Sequence, residues 1–334
     1  MTPLARIIAE QIAATGPISV AEYMRLCLGH PQHGYYTTRD PLGEAGDFTT
    51  APEISQMFGE MIGLWIASQW HEGTRLVELG PGRGTLMADA LRVLRGADMA
   101  PEVWFVETSP VLREAQAGRV GDARWATMLD QVPDGPLIAI ANEFFDALPV
   151  REYLETPQGW RERQVGLIED KLGFGLSSPL PLRPEAPGWW AQSVEADAIL
   201  AEIANRLRAD GGAALIIDYG YASADRPAGP TLQALRSHAP QDPLEAPGET
   251  DLTWLQDFDH MRKLLCGLHT RVSGQGAFLA AMGIGQRAAK LAAATPGAAD
   301  TLADALERLT APEQMGTLFK VLAVSATDRP MPGF

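Results

Sequence analysis

Cysteine is scarce in this sequence. Cys27 and Cys266 are the only two in 334 residues, far apart and without a Cys-x-x-Cys pair. That argues against a disulfide framework or a cysteine-built zinc site, and a reducing, cytoplasmic setting is expected. Long apolar runs are missing as well. The best stretch, residues 61–70, is about half the roughly 18 to 20 residues that cross a bilayer, so no membrane insertion is expected. The first residues carry one arginine, an early glutamate and no apolar core, so neither a secretory signal nor a transit peptide is expected. Positive charge is also short: 27 Lys and Arg stand against 42 Asp and Glu, a net charge of −15. Non-specific nucleic-acid binding needs a basic surface, so no nucleic-acid partner is expected, while a cationic partner suits the balance. His30-Pro31-Gln32-His33 has no further His, Cys or acidic cluster to complete a metal site, and no metal is expected.

What the chain does have is apolar residue in quantity, 46% of the total, enough for a substantial core. Residues 2–72 read as mostly helical: Leu4, Ile7, Ile8 and Ile12 recur at helical spacing, and Ser19 with Glu22 forms a capping-box pattern. Residues 30–52 break that rhythm as an extended loop, and a helix over 53–70 follows. From residue 75 strands and helices alternate. Strands are predicted at 75–79, 102–107, 123–126, 136–141 and 213–217, and helices at 85–95, 110–118 and 194–209. Repeated strand–helix units imply a parallel sheet covered on both faces. Residues 151–175 read instead as antiparallel strands with turns at 158–159 and 169–170. Residues 222–248 read as loop-rich, and 316–325 as a strong strand forming an antiparallel edge.

Glu78-Leu79-Gly80-Pro81-Gly82-Arg83-Gly84 lies between a predicted strand and a predicted helix. Small residues there let backbone N–H groups and the helix N-terminus approach a ligand. A phosphate loop would end in Gly-Lys-Ser/Thr, but Gly84-Thr85-Leu86 has no lysine. A dinucleotide fingerprint would place its third glycine at 85, where threonine stands. Gly80, Gly82 and Gly84 behind the acidic Glu78 resemble the first motif of class I methyltransferases, which bind S-adenosylmethionine. Glu107, twenty-three residues after Gly84 (107 − 84), ends the next strand, where a carboxylate can accept both ribose hydroxyls.

Asn142-Glu143-Phe144-Phe145-Asp146-Ala147-Leu148-Pro149 follows the 136–141 strand, at the edge where such sheets bind ligands. It resembles the polar-aromatic segment of nitrogen methyltransferases, which makes Asn142 both a cofactor and a catalytic candidate. An arginine acceptor is charged at neutral pH and a poor nucleophile. Paired carboxylates can hold its fork, polarise it and take the released proton, and Glu143 and Asp146 are the candidate pair. Phe144 and Phe145 would shape the pocket or meet the cation.

Several segments taken together resemble the MidA family, whose mitochondrial members are assembly factors for respiratory complex I. They are Gly34-Tyr35-Tyr36, Gly46 through Ser55, Phe58-Gly59-Glu60, Glu78 through Thr85, Glu107 through Pro110, Asn142 through Pro149, Asp218-Tyr219-Gly220 and Asp251-Leu252-Thr253. The resemblance spans residues 2–325. One departure is Thr253-Trp254-Leu255-Gln256, where the family often carries a histidine-containing run. The resemblance implies a protein arginine methyltransferase forming symmetric dimethylarginine on a complex I subunit, with S-adenosyl-L-methionine as cofactor and a protein as substrate. A homodimer is one expected assembly. The Gly46–Ser55 segment would act as a lid, with Asp47 reaching the sulfonium or the substrate cation.

The expected fold is therefore α/β: a doubly wound, mostly parallel sheet of the class I methyltransferase type. An antiparallel edge strand, an N-terminal helical extension and an inserted substrate-side subdomain complete it. The regions expected are 1–72 (helical, with the lid), 73–221 (cofactor-binding sheet with the 151–175 insertion), 222–268 (loop-rich, substrate side) and 269–334 (helices and closing strands). Two other readings stay open on the sequence: a methyltransferase acting on a different acceptor, and a noncatalytic assembly chaperone that keeps the cofactor fold.

Overall fold

The computed structural model describes residues 1–38, 50–184, 187–236 and 239–334. The chain divides into two compact units, each assembled from three segments. One comprises Met1–Phe48, Asp146–Ala198 and Ser223–Leu255, and the other Thr49–Phe145, Ile199–Ala222 and Gln256–Phe334. No helix of the described residues is long and apolar enough to cross a membrane.

The larger unit is built on a seven-stranded sheet, numbered here along the chain. The strands are β1 (Arg75–Leu79), β2 (Val103–Val106), β3 (Arg124–Ala126), β4 (Leu137–Asn142), β5 (Gly212–Tyr221), β6 (His269–Gly274) and β7 (Phe319–Ser325). Their spatial order is β6-β7-β5-β4-β1-β2-β3. Strands β3, β2, β1, β4 and β5 are successively parallel, and β7 is antiparallel to both β5 and β6. Gln256–Asp257 adds a short parallel pairing at the end of β5. The strands that read as near-continuous apolar runs are buried on both faces: all of β4 is buried, as are Ala213 through Ile217 of β5.

The 316–325 strand differs from expectation in one respect. It is antiparallel, but it lies inside the sheet, and β6 takes the edge. β6 carries no apolar run (His-Thr-Arg-Val-Ser-Gly) because its residues are exposed or only partly covered, so nothing in its periodicity announces a strand. The chain runs outward from β1 to β3 on one side and resumes at β4 on the other. The carboxyl ends of β1 and β4 therefore flank the topological switch point, the place where such sheets bind ligands.

The helix predicted at 53–70 is two helices, Ala51–Ile54 and Gln56–Gln69, broken at Ser55. Ser55 is extended (φ −161°, ψ 139°), and its hydroxyl accepts the Met57 N–H to cap the second helix. That helix packs against Thr85–Gly96 at very short range: a Cβ on Gly59 would stand 2.6 Å from the Asp89 Cβ. Beside this contact the buried Glu60 accepts from Arg287 Nε at 2.7 Å and from Arg92 at 3.1 Å. Burial alone would raise the Glu60 carboxyl, but the two guanidinium groups outweigh it and hold it below the usual carboxylate range. A lowered folded-state value means stability that is present above the ordinary glutamate range and lost as the pH falls through the folded one. Both arginines keep partial access to solvent, with side chains 50% and 36% exposed for Arg92 and Arg287, so we expect Glu60→Gln to cost only about 1–2 kcal/mol at neutral pH. Thermal melts should show this deficit closing in acid.

In the smaller unit, helices Pro3–Thr15 and Val20–Gly29 start on side-chain caps, Thr2 to Ala5 N and Ser19 to Glu22 N. The serine half of the predicted capping box is made, while Glu22 instead accepts from Gln11 Nε2 at 2.6 Å. An antiparallel sheet orders Ile18–Ser19, Gly159–Ile168, Arg151–Thr156 and Trp189–Gln192, with Lys171–Leu176 also paired to Gly159–Ile168. Its tight turn at Glu169 and Asp170 uses two positive φ angles, 50° and 61°, as a two-residue hairpin loop requires. The stretch expected to be loop-rich contributes a second, three-stranded sheet, Leu232–Arg236, Ala239–Pro240 and Asp251–Trp254. Buried Glu152 joins the two sheets, accepting from Thr231 N, Leu232 N and Arg163.

Candidate active site

At the switch point β1 runs into Gly80-Pro81-Gly82-Arg83-Gly84. The three glycines have φ of 59°, 53° and 79°, a region other residues rarely occupy, and Gly84 opens the helix Thr85–Gly96. The positive end of that helix and its unpaired N–H groups face the edge where the loop lies. Glu78, on β1, is buried; its Oε2 has no hydrogen-bond partner, and burial pushes its carboxyl well up. Asn142, last in β4, is likewise buried with an unpartnered Oδ1, while its Nδ2 donates to Glu143 Oε1 at 3.1 Å.

Glu107 follows β2. Its Oε1 accepts the N–H groups of Thr108 and Ser109, both at 2.8 Å, and its Oε2 accepts from Gln116 Nε2 at 3.2 Å. Arg113 Nε donates to the Glu107 carbonyl at 2.9 Å. Burial raises the Glu107 carboxyl, and these donors oppose the rise. The side chain is thereby fixed in one orientation.

Glu143 holds a left-handed backbone, φ 51°, unusual for a side chain with a Cβ and the kind of strain found where function demands a geometry. The surroundings impose it. The Glu143 N–H donates to the Ile217 carbonyl at 2.9 Å, and buried Asp218 accepts from Phe145 N at 2.9 Å and Tyr219 N at 2.8 Å. Glu143 Oε1 also accepts the Ala51 N–H at 3.0 Å. Burial pushes the Glu143 carboxyl up to about 7, against the pull of the Ala51 and Asn142 hydrogen bonds and the charge of Arg308. Phe144 leans over the glycine loop and meets Phe145 edge-on at 5.3 Å.

The short helix Ala51–Ile54 touches both halves of this edge. Ala51 reaches Glu143, and Glu53 Oε1 accepts from Thr85 Oγ1 at 2.5 Å, beside the glycine loop. Arg119 also donates to Thr85 Oγ1. Glu78, Gly80, Gly82, Gly84, Glu107, Asn142 and Glu143 thus all belong to one unit and one edge of its sheet. Asp146 opens a segment of the other unit, buried at 3% exposure. There its carbonyl accepts Trp254 N at 3.2 Å, and Trp254 Nε1 donates to the Leu148 carbonyl at 2.9 Å. So the tryptophan in the departing run holds the Asp146–Leu148 backbone. Tyr36 OH donates to Asp251 at 3.2 Å; burial raises the phenol, with the charges of Asp251 and Asp146 adding to the rise. Asp47 and the first part of the lid lie outside the described residues. Glu53, Gln116 and the Ala51 N–H were not singled out from the sequence. Glu53 sits in a motif run that pointed to it, whereas Gln116 has no local pattern.

A doubly wound sheet with a glycine loop and buried acids at its switch point defines a nucleotide-type cofactor site. Two buried oxygens without partners, on Glu78 and Asn142, fit a group that brings hydroxyl and ammonium donors and a sulfonium charge, as S-adenosylmethionine does. Residues 61–274 match the family described as "Putative S-adenosyl-L-methionine-dependent methyltransferase", and the chain belongs to it. Among curated relatives, the mitochondrial protein arginine methyltransferase NDUFAF7 of Danio rerio is 38% identical, covering 96% of this chain and 86% of its own length. That of Homo sapiens is 36% identical, covering 98% and 85%. A superfamily protein of Burkholderia thailandensis, crystallised with S-adenosyl-homocysteine, superposes with a TM-score of 0.86 at 27% identity, over 99% of this chain and 94% of that one. The fold expected from the sequence, the methyltransferase class and the S-adenosylmethionine cofactor therefore hold. The expected cytoplasmic location does not, because these relatives are named mitochondrial. A low cysteine count reports a reducing environment and does not separate one compartment from another.

Proposed function

We propose that this chain is an S-adenosylmethionine-dependent protein arginine methyltransferase. Its product would be symmetric dimethylarginine on a respiratory complex I subunit, formed during assembly. The observation that carries the reading is Glu143: a carboxylate at the end of β4, strained in its backbone, held by Ala51 and Asn142, with a pKa pushed up to about 7. The names of the curated relatives support arginine as the acceptor, and the MidA motifs support the complex I target.

Glu78, Gly80, Gly82, Gly84, Glu107 and Asn142 would hold the cofactor. When bound, S-adenosylmethionine supplies a methyl group activated by its sulfonium. The chain's own part is to present the guanidinium and to move a proton. Glu143, ionised near neutrality, binds one edge of the guanidinium and draws positive charge away from the attacking nitrogen. It then takes the proton that nitrogen releases, a task suited to a base whose pKa lies near the working pH. Asp146 and Asp47 are further candidates for the acceptor, supported by the MidA motifs alone. The chain is also proposed to act as a homodimer, which light scattering would settle.

The test is mass spectrometry of complex I subunits incubated with the purified chain and S-adenosylmethionine. Symmetric dimethylarginine is expected, and it should be absent when Glu143 is replaced by Gln. Methyl transfer to a residue other than arginine would keep the cofactor and overturn the acceptor.

A further inference from the structure

Helix Pro110–Arg119 has one buried residue, and it is a glutamine. Gln116 is fully covered, at 0% exposure, where an amphipathic helix would ordinarily place an apolar side chain. Its amide is fully used. Nε2 donates to the Gly82 carbonyl at 2.7 Å and to Glu107 Oε2 at 3.2 Å, and Oε1 accepts from Trp125 Nε1 at 2.8 Å. The orientation is dictated by the partners. An indole N–H only donates, whereas a carbonyl and a carboxylate only accept, so the amide fits one way round. Trp125 stands on β3, Gly82 in the glycine loop and Glu107 at the end of β2. The Gln116 backbone also packs on that loop, since a Cβ on Gly84 would lie 3.6 Å from the Gln116 Cα.

We propose that Gln116 is a positioning residue for cofactor recognition: one amide, locked by Trp125, sets the Glu107 carboxylate and the Gly82 loop in register. This rests on the reading of Glu107 as the ribose-hydroxyl acceptor. Gln116 does not touch the ribose; it acts through Glu107. With Oε1 committed to Thr108 and Ser109 and Oε2 steered by Gln116, the carboxylate presents its remaining lone pairs in one direction. A carboxylate free to turn would favour the ribose hydroxyls far less.

The discriminating variant is Gln116→Glu, which keeps size and shape but replaces a donor by an acceptor opposite two acceptors. The probes are S-adenosyl-homocysteine and its 2′,3′-dideoxy analogue, titrated calorimetrically against the full chain. The unaltered chain is expected to favour the ribose form by about 10- to 100-fold, the scale of hydrogen bonds to a charged group. Gln116→Glu is expected to shrink that preference to within about threefold, and Trp125→Phe, which frees the amide to flip, to an intermediate value. A role confined to packing would weaken both ligands equally and leave their ratio unchanged, and that result overturns the proposal. Should Gln116→Glu not fold, Trp125→Phe and Gln116→Leu report the same ratio. A chain with wild-type sequence that binds the homocysteine but ignores the ribose hydroxyls would instead remove Glu107 from its role, and Gln116 with it. Failure to bind the homocysteine at all would overturn the cofactor reading itself.

Discussion

Replacing Glu143 by Gln is expected to lower turnover by about 10²- to 10⁴-fold, the contribution typical of a positioned general base, while leaving S-adenosyl-homocysteine affinity near its original value. The amide oxygen can still accept from Ala51 N and Asn142 Nδ2, so the local hydrogen bonds that carry the strained turn survive. Charge and basicity are what disappear. Because burial lifts the carboxyl to about 7, kcat/KM of the unaltered chain should climb with pH up to that point and level off above it. The variant should lose that limb. Stability should move the other way. A raised folded-state pKa means that the folded chain is penalised as the pH rises from the ordinary glutamate value through about 7. Glu143→Gln should therefore melt higher than the parent at alkaline pH and converge with it in acid. An inactive variant that also melts lower at every pH would point to a broken turn and would remove Glu143 from the chemistry.

Gly80→Ala should weaken cofactor binding for a different reason. Its φ of 59° already strains any side chain, and an added Cβ would lie 2.6 Å from Phe144 Cδ2. The phenylalanine ring is braced edge-on against fully buried Phe145 and cannot retreat freely. Backbone strain of about 1–3 kcal/mol, before any clash, corresponds to about a 5- to 150-fold loss of affinity if the loop must deform to bind. Calorimetry with S-adenosyl-homocysteine measures it. Adding Phe144→Ala should recover the steric part and leave the conformational part, so the double variant should bind more tightly than Gly80→Ala alone. No recovery would mean that the ring is not the obstacle.

What could be read from the sequence follows how buried each element is. β1, β4 and β5 declared themselves as compact apolar runs, because strands covered on both faces need such residues. The glycine loop was legible because its backbone angles leave few residue types available. β6 is not legible, since an edge strand of partly exposed residues carries no pattern, and without it the apolar strand beside it reads as the edge. The sheet at 232–254 hid among proline, glycine and histidine, which usually mark loops. Within the site, the glutamates at strand ends stood out by position. Gln116 did not, because a polar residue in a helix normally faces water, and only the tertiary partners reveal that this one does not. The one-residue break at Ser55 turned a single expected helix into two, and in doing so it placed the Ala51 N–H on Glu143.

The position of β7 has a consequence for how the protein is made. This strand, formed by residues 319–325, is threaded between two strands that precede it in the chain, β5 and β6. Until the ribosome has released it, Leu215, Ile216 and Ile217 of β5 have a partner on the β4 side and an open row of backbone groups on the other. Such an apolar, unpaired edge is what templates aggregation during synthesis. A nascent chain is therefore exposed for more than a hundred residues of translation, the interval from Ile217 to Phe319 (319 − 217). Premature termination anywhere in that interval would leave the vulnerable edge permanently open and not merely shorten the protein.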